Sequence, residues 1–541
     1  MTASRDKIML INDLGQQSVL FQLPAELREQ GFMVNEPRPL APRPREYVIP
    51  KQTDYSKDYG TLAMANLYKG RKMQGVKPGT VKTLLIYETL PKPIHYTGGT
   101  EMMSIFGTFT LERLLGSVPV SEDGSAYFKL PANRPVLFLA MDENGHCVKR
   151  MHSFVSVMPG ESTICIGCHE ERTLTPTLDD RNRLFKMIHN DEPAEIQPVA
   201  DMKDLGPDFH GVFDFPRDVQ PILDRHCVKC HNPRREDGGV NLSGHWTPMY
   251  TISYTHLSWY NLLGDNRNRA VSNFEPYEIG TGSSRLVKLI EEGHQGVKMP
   301  PEEQAVIRHW IDAGANFAGT YASEASGGVG YYMANIPVWN QETWAEQTAM
   351  REAVSRRCDG CHAPTEQDKK RVKYDIYVDN YSPANPRTRG DHTVAHDLCE
   401  GNARYSRMEI FDLSYPEESK ALLAPLSRSA NGLGFCEAKS GKPVFESTDD
   451  PDYQTILRGI QRGRDYILNE DNRYSMLYCD PNNGAAPQAF RPRWAYLREM
   501  IRYGILPTDT DPTATYNPFT LDEQYWQSFW YVPETAGAGK P

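Results

Sequence analysis

The sequence predicts a multidomain α+β protein, in which a strand-rich N-terminal part precedes two mainly helical domains. Short apolar and β-branched segments, separated by turns that contain Gly or Asn, fill the N-terminal part and are typical of β-sheets. Longer amphipathic segments that begin at capping residues follow, and they are typical of helices. A chain of 541 residues is expected to form about three or four domains.

Residues 1–50 are predicted to form one β-hairpin and a linker. Apolar segments at 7–11 and 18–21 flank a turn at 12–15, which favours two antiparallel strands. The Pro-rich run at 37–50 is unsuited to a helix or a central strand, so we interpret it as extended. A lone hairpin cannot bury its own apolar face. We expect its strand edges to pair with the next domain or, as we favour, with a second polypeptide.

Residues 51–204 are predicted to form a β-sandwich-like domain. Its strand-like segments lie at 81–90, 126–130, 136–141 and 154–158, and the turns between them contain Gly and Asn. Several short strands at this spacing favour two packed sheets.

Three pentapeptides of the form Cys-x-x-Cys-His recur in the chain. With ten Cys and fifteen His, chance predicts on the order of 0.005 such motifs. Covalent attachment of haem requires this pattern, because the two thiols form thioethers with the vinyl groups and the adjacent imidazole binds the iron. We therefore predict three covalently attached haem c (heme c) groups. Their ligands are Cys165, Cys168, His169, Cys227, Cys230, His231, Cys358, Cys361 and His362.

Two other interpretations of the pentapeptides are zinc sites and redox dithiols. A zinc site needs a second pair of ligands at similar spacing. None of the remaining cysteines, Cys147, Cys399, Cys436 and Cys479, forms such a pair. In an oxidising compartment these four cysteines can form disulfides, and the sequence leaves their pairing open.

Residues 205–345 and 346–541 are each predicted to form a mainly helical, cytochrome c-like domain. In the first of them, a helix capped by Asp218 leads into the second pentapeptide, and another helix begins just after Met299. In the second, a helix over about 342–357 leads into the third pentapeptide. The first pentapeptide instead follows the predicted strands, so its haem is expected to lie against the sandwich.

Four residues are candidate distal ligands of haem iron. For the second haem, His294 and Met299 are equally well placed in the sequence, and both residue types bind haem iron. For the third haem, His392 and His396 would share one face of a helix, although solvated loop histidines are an equal alternative.

Charge and hydropathy exclude several classes of protein. The formal net charge is −11 and no basic block occurs, so nucleic acid is not an expected partner. No apolar run reaches about eighteen residues, so no transmembrane helix is predicted. The N-terminus lacks the pattern of a signal peptide. Because haem c is normally attached outside the cytoplasm, we expect a periplasmic or extracellular protein whose export signal is not present in this sequence.

The sequence resembles the hydrazine synthase alpha-subunit-related multihaem cytochrome c family over nearly its whole length. The stretches that carry the resemblance are 123–132, 142–145, 153–154, 159–161, 165–170, 215–227 and 498–507. Family members usually carry an N-terminal β-propeller, and residues 7–21 are similar to its last hairpin. The sequence thus resembles the family without most of the propeller.

The resemblance implies two functions. In hydrazine synthase itself, a tyrosine four residues beyond the motif histidine binds the catalytic iron, and the histidine binds zinc. Thr173 stands at that position here and has no phenolate, so His169 is expected to remain the proximal ligand. We favour an exported trihaem electron-transfer protein within a redox complex, with a redox partner protein. The alternative is a haem enzyme that acts on a small nitrogen compound at a five-coordinate iron.

Overall fold

The structure is a computed structural model. It describes residues 2–38, 42, 45, 47–94, 103–104, 110–171, 175–199, 202–247, 250–264, 273–322, 344–362, 410–438, 440–468, 492 and 494–533. These residues form a mixed α+β fold with several sheets, which confirms the predicted class. The chain divides into two compact units, Met1–Gln52 and Thr53–Pro541.

The first unit contains a three-stranded antiparallel sheet and a short helix. Its elements are β1 (Thr2–Ser4), β2 (Lys7–Ile11), β3 (Gln17–Gln22) and α1 (Ala25–Glu29). β2 and β3 form the predicted hairpin, and the Asn12 side chain closes its turn by accepting bonds from the N–H groups of Leu14 and Gln16. Because the sheet has little to cover it within this unit, Val19 and Phe21 remain exposed.

Two sheets pack face to face at the start of the second unit. Their strands are β4 (Tyr59–Met64), β5 (Thr83–Thr89), β6 (Glu112–Pro119), β7 (Ala126–Pro131), β8 (Val136–Met141), β9 (Cys147–Arg150) and β10 (Ser162–Cys165). One sheet has the order β10-β4-β7 and the other the order β6-β5-β8-β9. Phe128 and Phe138, one from each sheet, meet edge to face with ring centroids 5.6 Å apart. The two sheets thus enclose one apolar core.

Local patterns predicted some of these strands and missed others. The segments at 81–90, 126–130 and 136–141 correspond to β5, β7 and β8. The segment at 154–158 forms only one isolated bridge, from Val155 to Val136, in place of the predicted strand. β10 pairs in parallel with β4. This pairing brings the first pentapeptide to the edge of the smaller sheet, because β10 ends at Cys165.

Helices dominate the chain after the sandwich. They are α2 (Leu178–Asn190), α3 (Gln220–His226), α4 (Ile252–Trp259), α5 (Arg285–Glu291), α6 (Pro301–Asp312), α7 (Ala345–His362), α8 (Lys420–Leu423), α9 (Pro451–Leu468), α10 (Trp494–Arg502) and α11 (Pro518–Gln527). A short two-stranded ribbon, β11 (His231–Asn232) and β12 (Arg235–Glu236), lies between α3 and α4. The likeness of this helical part to cytochrome c stays a prediction.

The helix before the second pentapeptide begins differently from the prediction. Asp214, not Asp218, caps it, because the Asp214 carboxylate accepts a bond from the N–H of Arg217. The first turn, Phe215–Val219, is a π-helical turn that holds Pro216 near its start. Asp218 lies further along, where its buried carboxylate binds the Arg217 guanidinium.

One apolar core joins the larger sheet to the helices. Phe215 and Trp310 pack with ring centroids 5.1 Å apart, and the Tyr254 and Phe317 centroids are 5.0 Å apart. The same core includes Tyr87 from β5. The helices that precede and follow the second haem motif are therefore held on the sheet by shared burial.

No helix in the described part of the chain combines the length and the apolar character needed to cross a membrane.

Asp180 fastens α2 to the residues beside the first pentapeptide. Its carboxylate accepts bonds from Thr177, the N-cap of α2, and from the Lys69 ammonium at 2.6 Å. Burial by itself would raise the pKa of Asp180, but the bonds from Lys69 and Thr177 outweigh it and lower the pKa to about 2. Asp180 thus stays ionised in the folded protein at pH values where it is protonated in an unfolded chain.

We predict that Asp180→Asn lowers the free energy of unfolding by about 1–3 kcal/mol at pH 7, because the Lys69 ammonium loses the buried carboxylate that it binds. A carboxylate with a lowered pKa stabilises the fold above about pH 4 and loses this effect as the pH falls toward about 2. The difference between variant and wild type should therefore shrink over that range. Urea unfolding at pH 7, 4 and 3 measures it. The exposed neighbour Asp179 supplies the control Asp179→Asn. A difference that stays constant with pH contradicts the assignment.

Candidate haem-binding site

The second pentapeptide continues the turn in which α3 ends. The N–H of Cys227 donates to the Leu223 carbonyl at 2.8 Å, and the N–H of His231 donates to the Cys227 carbonyl at 3.1 Å. This winding holds the two cysteines and the histidine within one compact turn. The local chain geometry therefore brings the three side chains of the motif close to one another.

The His231 ring is held in one orientation. Its Nδ1 lies 3.1 Å from the Val240 carbonyl oxygen. Because a carbonyl oxygen only accepts, Nδ1 carries the proton, and Nε2 keeps its lone pair. Metal-binding histidines are commonly oriented by such a bond from the second ring nitrogen. His231 is thus prepared to bind a metal through Nε2.

His294 faces His231 at a distance that suits an iron between them. The two ring centroids are 6.2 Å apart and the ring planes differ by 26°. With metal–nitrogen bonds of about 2 Å, and about 1 Å from nitrogen to ring centre, two imidazoles on opposite sides of one metal have centroids about 6 Å apart. The separation of the two rings at the second pentapeptide is therefore compatible with a metal held between two imidazoles.

A short, irregular segment presents His294. Gly293 has φ +72° and ends α5 in the left-handed region, which suits glycine. A 3-10 turn, His294–Gly296, follows and leaves the His294 side chain exposed. Met299, the other distal candidate, is 6% exposed and packs in the large apolar core. Its carbonyl oxygen accepts a bond from the Gln304 side chain at 2.8 Å.

The first pentapeptide is bonded to the loop that follows β4. The N–H groups of Ala65, Asn66 and Arg71 donate to the carbonyls of residues 165, 166 and 169. The His169 side chain is exposed, and its backbone has φ +57°. Thr173, four residues further on, lies outside the described residues.

Burial favours the protonated form of the thiols of Cys165 and Cys227. It raises the pKa of Cys165 to about 11, with a smaller effect of Glu170. Burial, followed by the charge of Asp224, raises the pKa of Cys227 to about 11. Zinc binding and thiol redox chemistry both require thiolates. Surroundings that raise the pKa values of Cys165 and Cys227 therefore favour neither a zinc site nor a redox dithiol. Within the described ranges, no group of three or more His, Cys, Asp or Glu side chains is placed to hold a metal ion.

The third pentapeptide forms the last turns of α7. Arg357, just before its first cysteine, binds Asp450 at 2.8 Å and so ties α7 to the start of α9. Cys361 is exposed. The side chain of His362 lies outside the described residues, as do His392 and His396.

The other cysteines contribute no disulfide among the described residues. Cys147 is a buried free thiol, and Cys436 is also free. Cys399 and Cys479 lie outside the described residues, so a disulfide that involves them stays a prediction.

Sequence reasoning did not single out Glu303. Its carboxylate accepts bonds from Arg225 at 2.6 Å, from His226 at 2.7 Å and from Lys203 at 3.1 Å. Burial by itself would raise the pKa of Glu303, but hydrogen bonds from His226, Lys203 and Arg225 hold it below its usual value. Two sequence features could have indicated this cluster. They are the basic residues Arg225 and His226, directly before Cys227, and the acidic Glu303 in the first turn of α6.

Comparison with known proteins relates the chain to the hydrazine synthase alpha subunit. Residues 79–170 match the family model described as the hydrazine synthase alpha subunit middle domain. Hydrazine synthase subunit alpha of Kuenenia stuttgartiensis is 26% identical over 283 residues, which cover 41% of this chain and 35% of that protein. Both matches support a relation of this chain to the hydrazine synthase alpha subunit. The resemblance inferred from the sequence is thereby confirmed.

The match spans about a third of the length of this curated relative. A solved structure, Kuenenia stuttgartiensis Hydrazine Synthase, aligns with a TM-score of 0.36 and 18% identity, covering 49% of this chain and 44% of that chain. The family match ends at residue 170 and so includes the whole first pentapeptide.

We predict that Gly70→Ala impairs haem attachment at the first pentapeptide. Gly70 has φ −63°, which alanine adopts freely, but an added methyl group would overlap the Cys168 carbonyl oxygen. Backbone atoms cannot relieve the overlap by a rotamer change, so the motif must shift, at a cost of about 1–3 kcal/mol.

The control is Gly75→Ala, where the methyl group meets nothing within 4 Å although φ is +91°. This control measures backbone strain without overlap. Mass spectrometry of the haem-bearing peptide around residues 165–169 reads out both variants. Equal haem attachment in the two variants contradicts the prediction.

Proposed function

We propose that this protein carries three covalently attached haem c groups and transfers electrons as an exported subunit of a redox complex. The observation that carries the proposal is the 6.2 Å separation of the His231 and His294 ring centroids. His231 and His294 would together hold the second haem, which would leave no place for a substrate at its iron. A haem held in this way would supply one-electron redox chemistry, which suits electron transfer.

The chain's own residues would hold each haem through thioethers and a proximal imidazole. At the second motif, Cys227 and Cys230 would attach the group, and His231 would bind the iron through Nε2. The bond from Nδ1 to Val240 fixes the ring and raises the basicity of the ligand nitrogen. His294 is our choice for the distal ligand over Met299, because Met299 is buried in the core.

The alternative function places chemistry at the first haem. The family match covers this region, and the relative is named as a subunit of hydrazine synthase. A first haem with His169 as its one protein ligand would leave a position open to a small nitrogen compound. In that case the second haem would supply electrons to, or accept them from, the first haem.

Two observations support a partner protein, and the expected haem attachment supports an extracytoplasmic location. The relative's name describes a subunit, and the sheet of the first unit leaves Leu10, Val19, Leu20 and Phe21 exposed. Apolar strands of this kind favour pairing with another polypeptide. Covalent haem attachment normally takes place outside the cytoplasm, which supports a periplasmic or extracellular protein.

The proposal predicts three haems per chain. A pyridine haemochrome assay on the fully matured protein should give this ratio, because each pentapeptide attaches one group. Replacing both cysteines of one motif by alanine should lower the ratio by one haem, with Cys147→Ala as the control outside the motifs. A ratio clearly below three in the unmodified protein contradicts the proposal.

Replacing His294 should change the spin state of one haem. We expect His294→Ala to convert the second haem from six-coordinate low spin to high spin, because one axial ligand is lost. Met299→Leu preserves the volume of a core side chain and should keep the wild-type spectrum. EPR and electronic spectra of the oxidised proteins measure the change. The distal assignment is wrong if the Met299 variant alone becomes high spin, or if neither variant does.

A further inference from the structure

A buried carboxylate joins the two helices that flank the second haem motif and its distal histidine. Glu303 lies in the first turn of α6, and its side chain is only 8% exposed. Arg225 and His226, which bind it at 2.6 and 2.7 Å, form the end of α3 directly before Cys227. One carboxylate therefore connects the helix that leads into the attachment motif with the helix that follows His294.

The segment from His294 to Glu303 is short and stiff, so His294 moves together with the start of α6. Pro300, directly before α6, and Pro301, its first residue, restrict the backbone there. Met299 is anchored in the apolar core, and Gln304 holds its carbonyl oxygen. A displacement of the start of α6 relative to α3 therefore moves the segment that presents His294.

The Glu303 cluster, which we define as Glu303 with Lys203, Arg225 and His226, depends on charge. Both oxygens of the carboxylate are used: Oε1 accepts from Lys203 and Arg225, and Oε2 accepts from His226. An amide at this position has the same shape but carries two donors on one of its ends. That end would face donors of the cluster, and the partly exposed Lys203 and Arg225 would lose their counter-charge.

We propose that Glu303 is a positioning residue, which sets the spacing between His231 and His294 by holding α6 against the end of α3. This inference rests on the proposed axial ligation of the second haem by these two histidines. The carboxylate acts through the two helices and does not itself touch the iron or the haem.

Glu303→Gln should loosen the distal ligand without preventing haem attachment. We expect carbon monoxide to bind the reduced second haem at least about tenfold faster than in wild type, the factor that the loss of one charge-assisted hydrogen bond provides. A high-spin component should appear in the EPR spectrum of the oxidised variant. Glu303→Asp keeps the charge and should recover part of the slow binding.

The matched control is Glu88→Gln. Glu88 is an equally buried carboxylate that binds two guanidinium groups, those of Arg113 and Arg134, within the sandwich. A general loss of stability would affect both variants, whereas faster carbon monoxide binding is expected only for Glu303→Gln.

A second variant tests the same link if Glu303→Gln fails to fold. Arg225→Gln changes the partner on α3, and because the Arg225 side chain is 43% exposed, this variant is expected to fold. It is expected to speed binding to a smaller extent.

The positioning role is overturned if the folded Glu303 and Arg225 variants bind carbon monoxide at the wild-type rate, or if Glu88→Gln speeds binding equally. The result for His294→Ala separates this failure from failure of the proposed ligation. A His294→Ala variant that keeps the wild-type spectrum rejects the ligation itself. A His294→Ala variant that turns high spin, combined with unchanged Glu303 variants, rejects only the role of Glu303.

Discussion

The shared apolar core between the larger sheet and the helices is the constraint on which the candidate site depends. Trp310, on α6, is fully buried against Phe215, which precedes α3. Its indole N–H donates to the Asn316 carbonyl at 2.8 Å, so the ring also fixes the turn after α6. Because α3 and α6 pack on the same aromatic side chains, the His231 and His294 segments are held at a defined separation.

Buried charges add specificity to this apolar contact. Arg150 of β9 binds Glu112 of β6 at 2.6 Å and also donates to the Asp312 carbonyl at the end of α6. Burial raises the pKa of the Asp312 carboxyl to about 7, although bonds from Thr281 oppose the rise. Buried pairs of this kind contribute little net stability, because desolvation offsets their attraction. An arrangement that separated Arg150 from Glu112 would leave two buried charges unpaired, which is costly.

The surroundings of the motifs are consistent with thioether formation. Partial burial raises the pKa values of the Cys165 and Cys227 thiols, and such surroundings would suit sulfur atoms that carry an apolar group. The imidazole of His231 is oriented by a backbone carbonyl. The second motif thus combines a compact turn, an oriented proximal ring and a facing imidazole in one place.

The sequence by itself determined what short spacings encode. The three pentapeptides are readable because the proposed attachment and iron ligands lie within five residues, and β5, β7 and β8 are readable from their own apolar patterns. The segment at 154–158 has a similar pattern but finds no strand partner beyond one bridge. Pairing depends on distant chain, which a local pattern does not contain.

Only the tertiary structure decided which residues meet across long stretches of sequence. His294 and Met299 have equal standing in the sequence, but packing buries Met299 and leaves His294 facing His231. Asp218 has the type and position of a helix cap, yet a π-helical turn gives that role to Asp214. Glu303 gains its partners only when α6 packs against the end of α3. Contacts of this kind arise from the burial of apolar faces on a common core, a property of the whole fold.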